Sequence, residues 1–122
     1  MNNLITKPTI HNKAWGSEEW IINNNLYCGK LLNFNEGAKF SMHFHMRKTE
    51  TWYVLSGLFE LIIINTANAN KESLNLHNGD IITITPGMPH QLIAKEKGTI
   101  LEISTTHYEE DSYRVEKGDS QK

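Results

Sequence analysis

Short runs of alternating or apolar residues recur along the whole sequence, and no stretch carries a helical period of useful length. The runs are separated by glycine, proline and asparagine, which are residues typical of turns. Many short strands without intervening helices favour an antiparallel β-sandwich or a small barrel. We therefore expect an all-β fold in which KFSMHFH, TWYVLSG, LFELIIIN and IITITPG supply strands and TANANKES forms a hairpin loop.

Size and charge narrow the class of protein further. A chain of 122 residues is expected to form one domain. The formal net charge of -2 argues against general binding to nucleic acid or to an anionic membrane. Cys28 is the only cysteine, so neither an intrachain disulfide nor a cysteine-based zinc site is expected. The segment MNNLITKPTIHNKAW lacks the apolar core of a signal peptide, and we expect a cytoplasmic protein.

Composition divides this single domain into three parts. Residues 1–29 are expected to form an N-terminal arm and the first strands, and residues 30–107 the barrel core. Residues 108–122 are polar and charged, and they form either an arm that lies on the body or a frayed tail.

The segment HFHMRKTETW, residues 43–52, carries the main functional signal. Side chains of a strand alternate between its two faces, so His43 and His45 share one face and Phe44 lies on the other. Glu50 follows a short turn, from which its carboxylate can return over the same face. The simpler alternative is a surface strand with an ion pair. Two histidines that point into a barrel need polar partners, and a cation supplies one to both.

A further candidate ligand, His90, follows the turn PGMPH at the start of another predicted strand. Imidazoles and one carboxylate form the usual ligand set for zinc, iron, nickel, manganese or cobalt. We therefore predict one divalent metal ion bound by His43, His45, Glu50 and His90.

Two sequence patterns resemble those of the cupin superfamily. The first is G-x5-H-x-H-x3,4-E-x6-G, and the residues that match it at every spacing are Gly37, His43, His45, Glu50 and Gly57. The second is G-x5-P-x-G-x2-H-x3-N, which is matched by Gly79, Gly87 and His90. Thr85 replaces its proline, with Pro86 next, and Ala94 replaces its asparagine. The resemblance covers roughly residues 30–105 and implies a jelly-roll β-barrel with a metal bound by three histidines and a glutamate.

Shorter segments resemble the cupin domain of type II mannose-6-phosphate isomerases. They are AWGSEEWI, YCGKLL, SMHFH, ETWYVLSG and HYEEDSYRVEKGD. This resemblance implies a sugar or sugar-phosphate isomerase in which the metal holds substrate oxygens during enediol proton transfer. Two alternatives remain open: a non-catalytic cupin that binds metal and sugar, and an iron-dependent dioxygenase.

The remaining polar and aromatic residues supply candidates for catalysis and binding. Glu50, Glu102 and Arg47 are candidate catalytic residues, with either glutamate as the base. Arg47, Lys30 or Arg114 is expected to hold a substrate phosphate. Arg47 and Lys48 lie between the proposed ligands, where a cation can meet a substrate phosphate or carboxylate, although both are at least as well explained as solvated charges. A pocket is expected to be lined by the aromatic residues Trp15, Trp20 and Tyr53. The protein surface is expected to carry the histidines His11, His77 and His107. A homodimer is expected, because an open jelly roll has strand edges to cover.

Overall fold

The computed structural model describes residues 4–122, which form eleven β-strands and end in a short 3-10 helix, Asp119–Gln121. The strands are β1 (Thr9–Lys13), β2 (Gly16–Asn23), β3 (Cys28–Phe34), β4 (Met42–Phe44), β5 (Glu50–Ser56), β6 (Phe59–Ile64), β7 (Lys71–Leu76), β8 (Ile81–Ile84), β9 (His90–Ala94), β10 (Gly98–Ser104) and β11 (Tyr113–Glu116).

The strands form two antiparallel sheets. The six-stranded sheet has the order β1-β2-β3-β10-β5-β8, and the five-stranded sheet has the order β11-β4-β9-β6-β7. From β3 onward the chain passes between the sheets at almost every connection, and only β6 and β7 are consecutive strands of one sheet. This winding is that of a jelly roll, and the prediction of an all-β, mostly antiparallel single domain is confirmed.

Alternation along the strands determines which side chains face the interior. In β3 the buried residues Cys28, Lys30, Leu32 and Phe34 alternate with partly exposed neighbours. Strand β10 follows the same rule, with Ile100 and Glu102 among its buried positions. The period of two places one face of each strand between the sheets.

The interior is apolar at one end of these strands. Phe34 stacks on Trp15 with ring centroids 4.5 Å apart and meets the edge of Phe59 at 5.3 Å. Leu61 and Leu92 are fully buried in the same cluster. Each such side chain contributes about 1.5 to 3 kcal/mol by leaving water. This cluster is the hydrophobic core.

At the other end of the same strands the interior is polar. In β3 the inward-facing position next to Leu32 is occupied by Lys30. In β10 the inward-facing position next to Ile100 is occupied by Glu102. These two residues are paired in register across the strands, and Glu102 is also paired with Trp52 of β5. The barrel therefore has an apolar half and a polar half.

Residues 108–122 form an arm that lies on the barrel rather than a frayed tail. Strand β11 pairs with β4, with Arg114 opposite His43. The Asp111 carboxylate is buried, and Asp119 accepts a hydrogen bond from the Lys39 amide at 2.9 Å. The arm therefore becomes part of the polar end of the barrel.

Two local predictions are wrong in extent. Within KFSMHFH only Met42–Phe44 is a regular strand, because Lys39 makes only an isolated bridge to Ile93. The loop predicted for TANANKES ends early, since β7 already begins at Lys71. Asparagine side chains close the tighter turn, and an edge strand such as β7 tolerates polar residues because one side of it faces solvent.

Candidate metal centre

Three histidines from two neighbouring segments converge at the polar end. His43 in β4 and His90 in β9 are paired in register, so both side chains leave the sheet on the same face. His45 follows two residues after His43, as the alternation predicts. One ring nitrogen from each of the three histidines lies within 4.8 Å of the corresponding atoms of the other two. This group has the size of a metal-binding site.

Glu50 reaches the histidines from the opposite sheet, as the first residue of β5. Its Oε2 atom lies 3.3 Å from Nε2 of His45 and 3.8 Å from Nε2 of His90. Its other oxygen, Oε1, accepts a hydrogen bond from the Trp52 indole at 2.8 Å. Trp52 therefore orients the carboxylate so that Oε2 points at the histidines.

The outer nitrogens of the three rings are already engaged. Nδ1 of His45 donates to the Asp111 carbonyl at 2.6 Å, and Nδ1 of His90 donates to the Met88 carbonyl at 2.8 Å. A carbonyl only accepts, so each of these rings carries its hydrogen on Nδ1 and turns the lone pair of Nε2 inward. Nδ1 of His43 lies 2.9 Å from the Ser41 hydroxyl. Such outer partners are characteristic of metal-ligating histidines.

Burial and neighbouring charges set the protonation of this cluster. Burial, reinforced by the nearby His90 and His45, holds the pKa of His43 well below its usual value, and burial also lowers the pKa of His90. Burial opposes the charged form of Glu50, but the charge of Lys48 and the nearby ring of His45 bring its pKa well below the usual range. For His45, Glu50 outweighs the effect of burial and raises the pKa. His43 and His90 as neutral imidazoles and Glu50 as a carboxylate are thus in the forms that bind a divalent metal, and metal binding at His45 competes with its proton.

Two buried polar atoms of the cluster have no hydrogen-bond partner. They are Oε2 of Glu50 and Nε2 of His90, and each faces the other ligand candidates. Leaving such atoms unpaired in the interior costs about 1 to 3 kcal/mol each, or more for a charged group. Three imidazole lone pairs and one carboxylate oxygen fit zinc, manganese, iron, cobalt or nickel, and one ion would satisfy both atoms.

The cluster lines a cavity of about 470 Å³. Most of the other charged groups in its wall come from the six-stranded sheet and from the C-terminal arm. They include Glu18, Lys30, Lys48, Glu102 and Arg114. A cavity of this volume and polarity suits a small ligand rich in oxygen.

A second group of charged side chains lies beside the histidine cluster. The Lys48 ammonium donates to Glu102 at 2.7 Å and to Nδ1 of His107 at 3.2 Å. The Ser104 hydroxyl also donates to Glu102, at 2.9 Å. Despite its burial, Lys48 has a raised pKa because Glu102 and Glu50 surround it, whereas burial, Lys30 and Lys48 lower the pKa of His107 to about 3. Lys48 is therefore a permanent cation and His107 a neutral ring.

The structure brings most of the residues singled out from the sequence into this cavity. The four proposed ligands, Glu102, Lys30, Arg114, Trp15 and Trp20 all line it. Arg47 does not, because its guanidinium stacks 3.6 Å from the centre of the Tyr108 ring and is half exposed. Tyr53 lies on the outer face of β5, at a position between the inward residues Trp52 and Val54.

Sequence reasoning missed or misplaced several residues of the site. His107 and His11 were expected on the surface, yet both line the cavity, and Nε2 of His11 is buried without a partner; only His77 is exposed as expected. Asp111 carried no signal beyond the polar character of its segment. The side chain of Lys48 points into the cavity, whereas that of its neighbour Arg47 does not. Both residues lie in the loop between β4 and β5, and a loop has no strand alternation from which the direction of a side chain can be predicted.

The fold and the cluster together define a small β-barrel protein with a histidine-rich centre inside it. Residues 3–115 match the family model described as Cupin, and the chain belongs to this family. The cupin resemblance of the sequence is thereby confirmed, whereas similarity to mannose-6-phosphate isomerases is not shown. No curated protein matches the chain.

Solved structures support the fold. The capsular polysaccharide assembling protein CapF from Staphylococcus aureus superimposes with a TM-score of 0.81 at 14% identity, over 94% of this chain and 33% of that one. Oxalate decarboxylase from Bacillus subtilis gives 0.78 at 15% identity, over 88% and 30%. KdgF from a Halomonas species gives 0.66 at 19% identity, over 77% and 81%. The chain thus spans about a third of the first two proteins, and residues 4–122 contain no helix long and apolar enough to cross a membrane.

Proposed function

We propose that the protein is a metal-dependent isomerase acting on a sugar or sugar phosphate, with one divalent ion held by His43, His45, His90 and Glu50. The observation that carries the proposal is the convergence of unpaired Nε2 and Oε2 atoms at the wall of a polar cavity. A bound divalent ion polarises a carbonyl and stabilises negative charge on oxygen. Aldose–ketose exchange needs that stabilisation together with a group that moves a proton between adjacent carbons.

The chain's own residues divide the remaining tasks. Lys48, a permanent cation close to Glu50, attracts a negatively charged substrate. Glu102 is the candidate base outside the ligand set, and its two partners are the Lys48 ammonium and the Ser104 hydroxyl. Glu50 is the alternative base wherever it is not a tight ligand.

The engagement of Glu102 supports a second candidate, a non-catalytic cupin that binds metal and sugar. The Lys48 ammonium and the Ser104 hydroxyl both donate to Oε2 of Glu102, so these contacts hold the carboxylate in place as part of the cavity wall. In this reading the same side chains recognise a ligand without transforming it. The two candidates share the metal centre and differ only in turnover.

Metal analysis of His45→Ala tests the centre. We expect the parent protein to hold close to one equivalent of a divalent metal and H45A to lose most of it. His77→Ala is the matched control, because His77 is exposed and lies outside the cavity. Equal metal content in H45A and the parent would refute the proposed ligand set.

Catalytic turnover of a sugar phosphate distinguishes the proposed isomerase from the proposed binding protein. Aldose and ketose phosphates are incubated with the metal-loaded protein in deuterated water, and exchange at the carbon beside the carbonyl is followed by NMR. Exchange that H45A abolishes supports the isomerase. Saturable sugar binding without exchange supports the binding protein, and oxygen uptake with iron would replace both by a dioxygenase.

The expected homodimer and cytoplasmic location remain proposals. The outer face of the six-stranded sheet exposes Tyr53, Leu55, Ile81 and Ile103, and such a face is suited to pairing with a second copy. Light scattering of the parent and of Ile103→Glu tests this. A monomeric mass for the parent at micromolar concentration would refute the dimer.

A further inference from the structure

Two lysines are buried inside the barrel, which is uncommon for this residue. Lys30 is 2% exposed and Lys48 is 3% exposed. Taking an ammonium out of water costs several kcal/mol, and one ion pair often fails to recover that cost. Apolar residues of the same length would be at least as stable at both positions. A requirement other than stability therefore accounts for their charge.

Neither ammonium is saturated by the protein. Lys48 has three N–H donors, and its partners are the Glu102 carboxylate and Nδ1 of His107. Lys30 has one carboxylate near it, Glu18 at 3.5 Å, and its ammonium lies 4.2 Å from the centre of the Trp20 ring. Among residues 4–122 no further acceptor contacts either lysine, so each retains at least one free N–H.

Both lysines line the same cavity as the histidine cluster, and Glu102 links them. Lys30 is the cross-strand neighbour of Glu102, and Glu102 in turn accepts from Lys48. The two cations thus belong to one continuous stretch of the cavity wall. Nε2 of His11, buried and without a partner, is a further polar atom of this wall, with its ring 4.2 Å from that of Trp20.

The charge of the cavity points to an anionic ligand. Its lining carries four cationic side chains, Lys13, Lys30, Lys48 and Arg114, and four carboxylates, Glu18, Glu50, Glu102 and Glu109. The side chains therefore balance before any metal is bound. A divalent ion in the histidine cluster leaves an excess of two positive charges, which a ligand of opposite charge would neutralise.

We propose that Lys30 and Lys48 form a subsite for an anionic group, a carboxylate or a phosphate, on the ligand whose other oxygens reach the metal. This proposal rests on the proposed function and adds the position at which the charged end of the substrate is recognised. Of the cations that the sequence offered for this role, the proposal retains Lys30 and Lys48 and excludes Arg47, which faces Tyr108 outside the cavity.

Anion binding to metal-free protein tests the subsite without the metal. Inorganic phosphate and acetate are titrated against the parent, Lys30→Met and Lys48→Met after removal of metal by a chelator, and the indole N–H signals are followed by NMR. Lys95→Met is the matched control, because Lys95 is half exposed and pairs with Glu60 away from the cavity.

We expect K30M and K48M to bind the preferred anion at least about tenfold more weakly, a loss of about 1.4 kcal/mol, and K95M to bind like the parent. Tighter binding of phosphate than of acetate assigns a phosphate, and the reverse assigns a carboxylate. Unchanged binding in K30M and K48M, or no binding of either anion to the parent at millimolar concentration, overturns the proposal. If K48M does not fold, K30M decides.

The metal centre and the anion subsite would be refuted by different results. Lysine variants with normal metal content and unchanged anion binding would remove the subsite and leave the metal centre. Loss of the centre would instead appear as equal metal content in the parent and H45A, with anion binding by the lysines unaffected.

Discussion

Replacing Asp111 is expected to loosen the metal centre, although Asp111 is not a ligand. Its carboxylate accepts hydrogen bonds from the Met46 amide at 2.9 Å and from the Arg47 amide at 3.1 Å. Its carbonyl accepts the hydrogen bond from Nδ1 of His45. The side chain thus anchors the C-terminal arm to the loop that follows β4 and fixes the carbonyl that orients a proposed ligand.

The contacts of Asp111 indicate how much stability and how much metal affinity its replacement would remove. A hydrogen bond to an ionised group contributes about 1.5 to 3 kcal/mol, so Asp111→Ala is expected to lower the free energy of unfolding by about 3 to 5 kcal/mol. Loss of a group that orients a metal ligand weakens metal binding by about 10-fold to 100-fold. Asp111→Asn is expected to have an intermediate effect, because an NH2 group replaces one carboxylate oxygen and cannot accept the hydrogen bond that the Arg47 amide donates to Oδ2.

Zinc competition titrations and urea unfolding measure the two effects. Asp80→Ala is the matched control, since Asp80 accepts from the His77 amide at 2.7 Å but is half exposed and outside the cavity. A D111A protein that binds zinc within twofold of the parent would refute the reasoning. That result would mean that His45 is aligned without the arm.

Two further predictions concern the arm and the neutral histidine. Gly118→Ala is expected to destabilise the protein by about 1 to 3 kcal/mol in urea unfolding, because the added Cβ would lie 2.3 Å from the backbone of Phe40 and Ser41. Gly29→Ala is the control, because its Cβ would come no closer than 3.5 Å to any neighbour, and equal stabilities of the two variants would contradict the packing of the arm. The second prediction concerns metal-free protein, whose free energy of unfolding is expected to fall as the pH is lowered from about 7 to about 5. His107 has a pKa of about 3 in the folded state, so only the unfolded chain binds its proton in that range. The contribution is about 1 kcal/mol per pH unit after allowance for partial solvation. His107→Gln, in which the amide oxygen can still accept from Lys48, is expected to reduce the slope, whereas His77→Gln leaves it unchanged; an identical slope in the parent and H107Q would contradict a neutral His107.

The strand periodicity explains why much of the site was predictable. The two-residue spacing of His43 and His45 requires a common face, and the spacing to Glu50 and His90 matches the cupin pattern. The inward direction of Lys30 follows from its alternation with Leu31 in β3. The all-β class follows from many such short runs.

Other parts of the site depend on contacts that no local pattern encodes. Asp111 reaches His45 through a backbone carbonyl 66 positions away, and backbone atoms carry no sequence signal. Arg47 and Lys48 are adjacent in a loop, where side-chain direction depends on tertiary packing alone. The early start of β7 depends on pairing with β6, which tolerates Lys71 opposite Ile64 at an exposed edge.

The separation of the barrel into an apolar and a polar half limits the contacts between them to a few side chains, such as Trp52, which lies in the core and donates to Glu50. Mutations that are well apart and share no partners have nearly additive effects on stability, so the polar half can exchange its side chains while the apolar half keeps the chain folded. Proteins that share this fold at only 14% to 19% identity are consistent with such divergence. New ligand preferences can therefore arise in this architecture without the core being rebuilt.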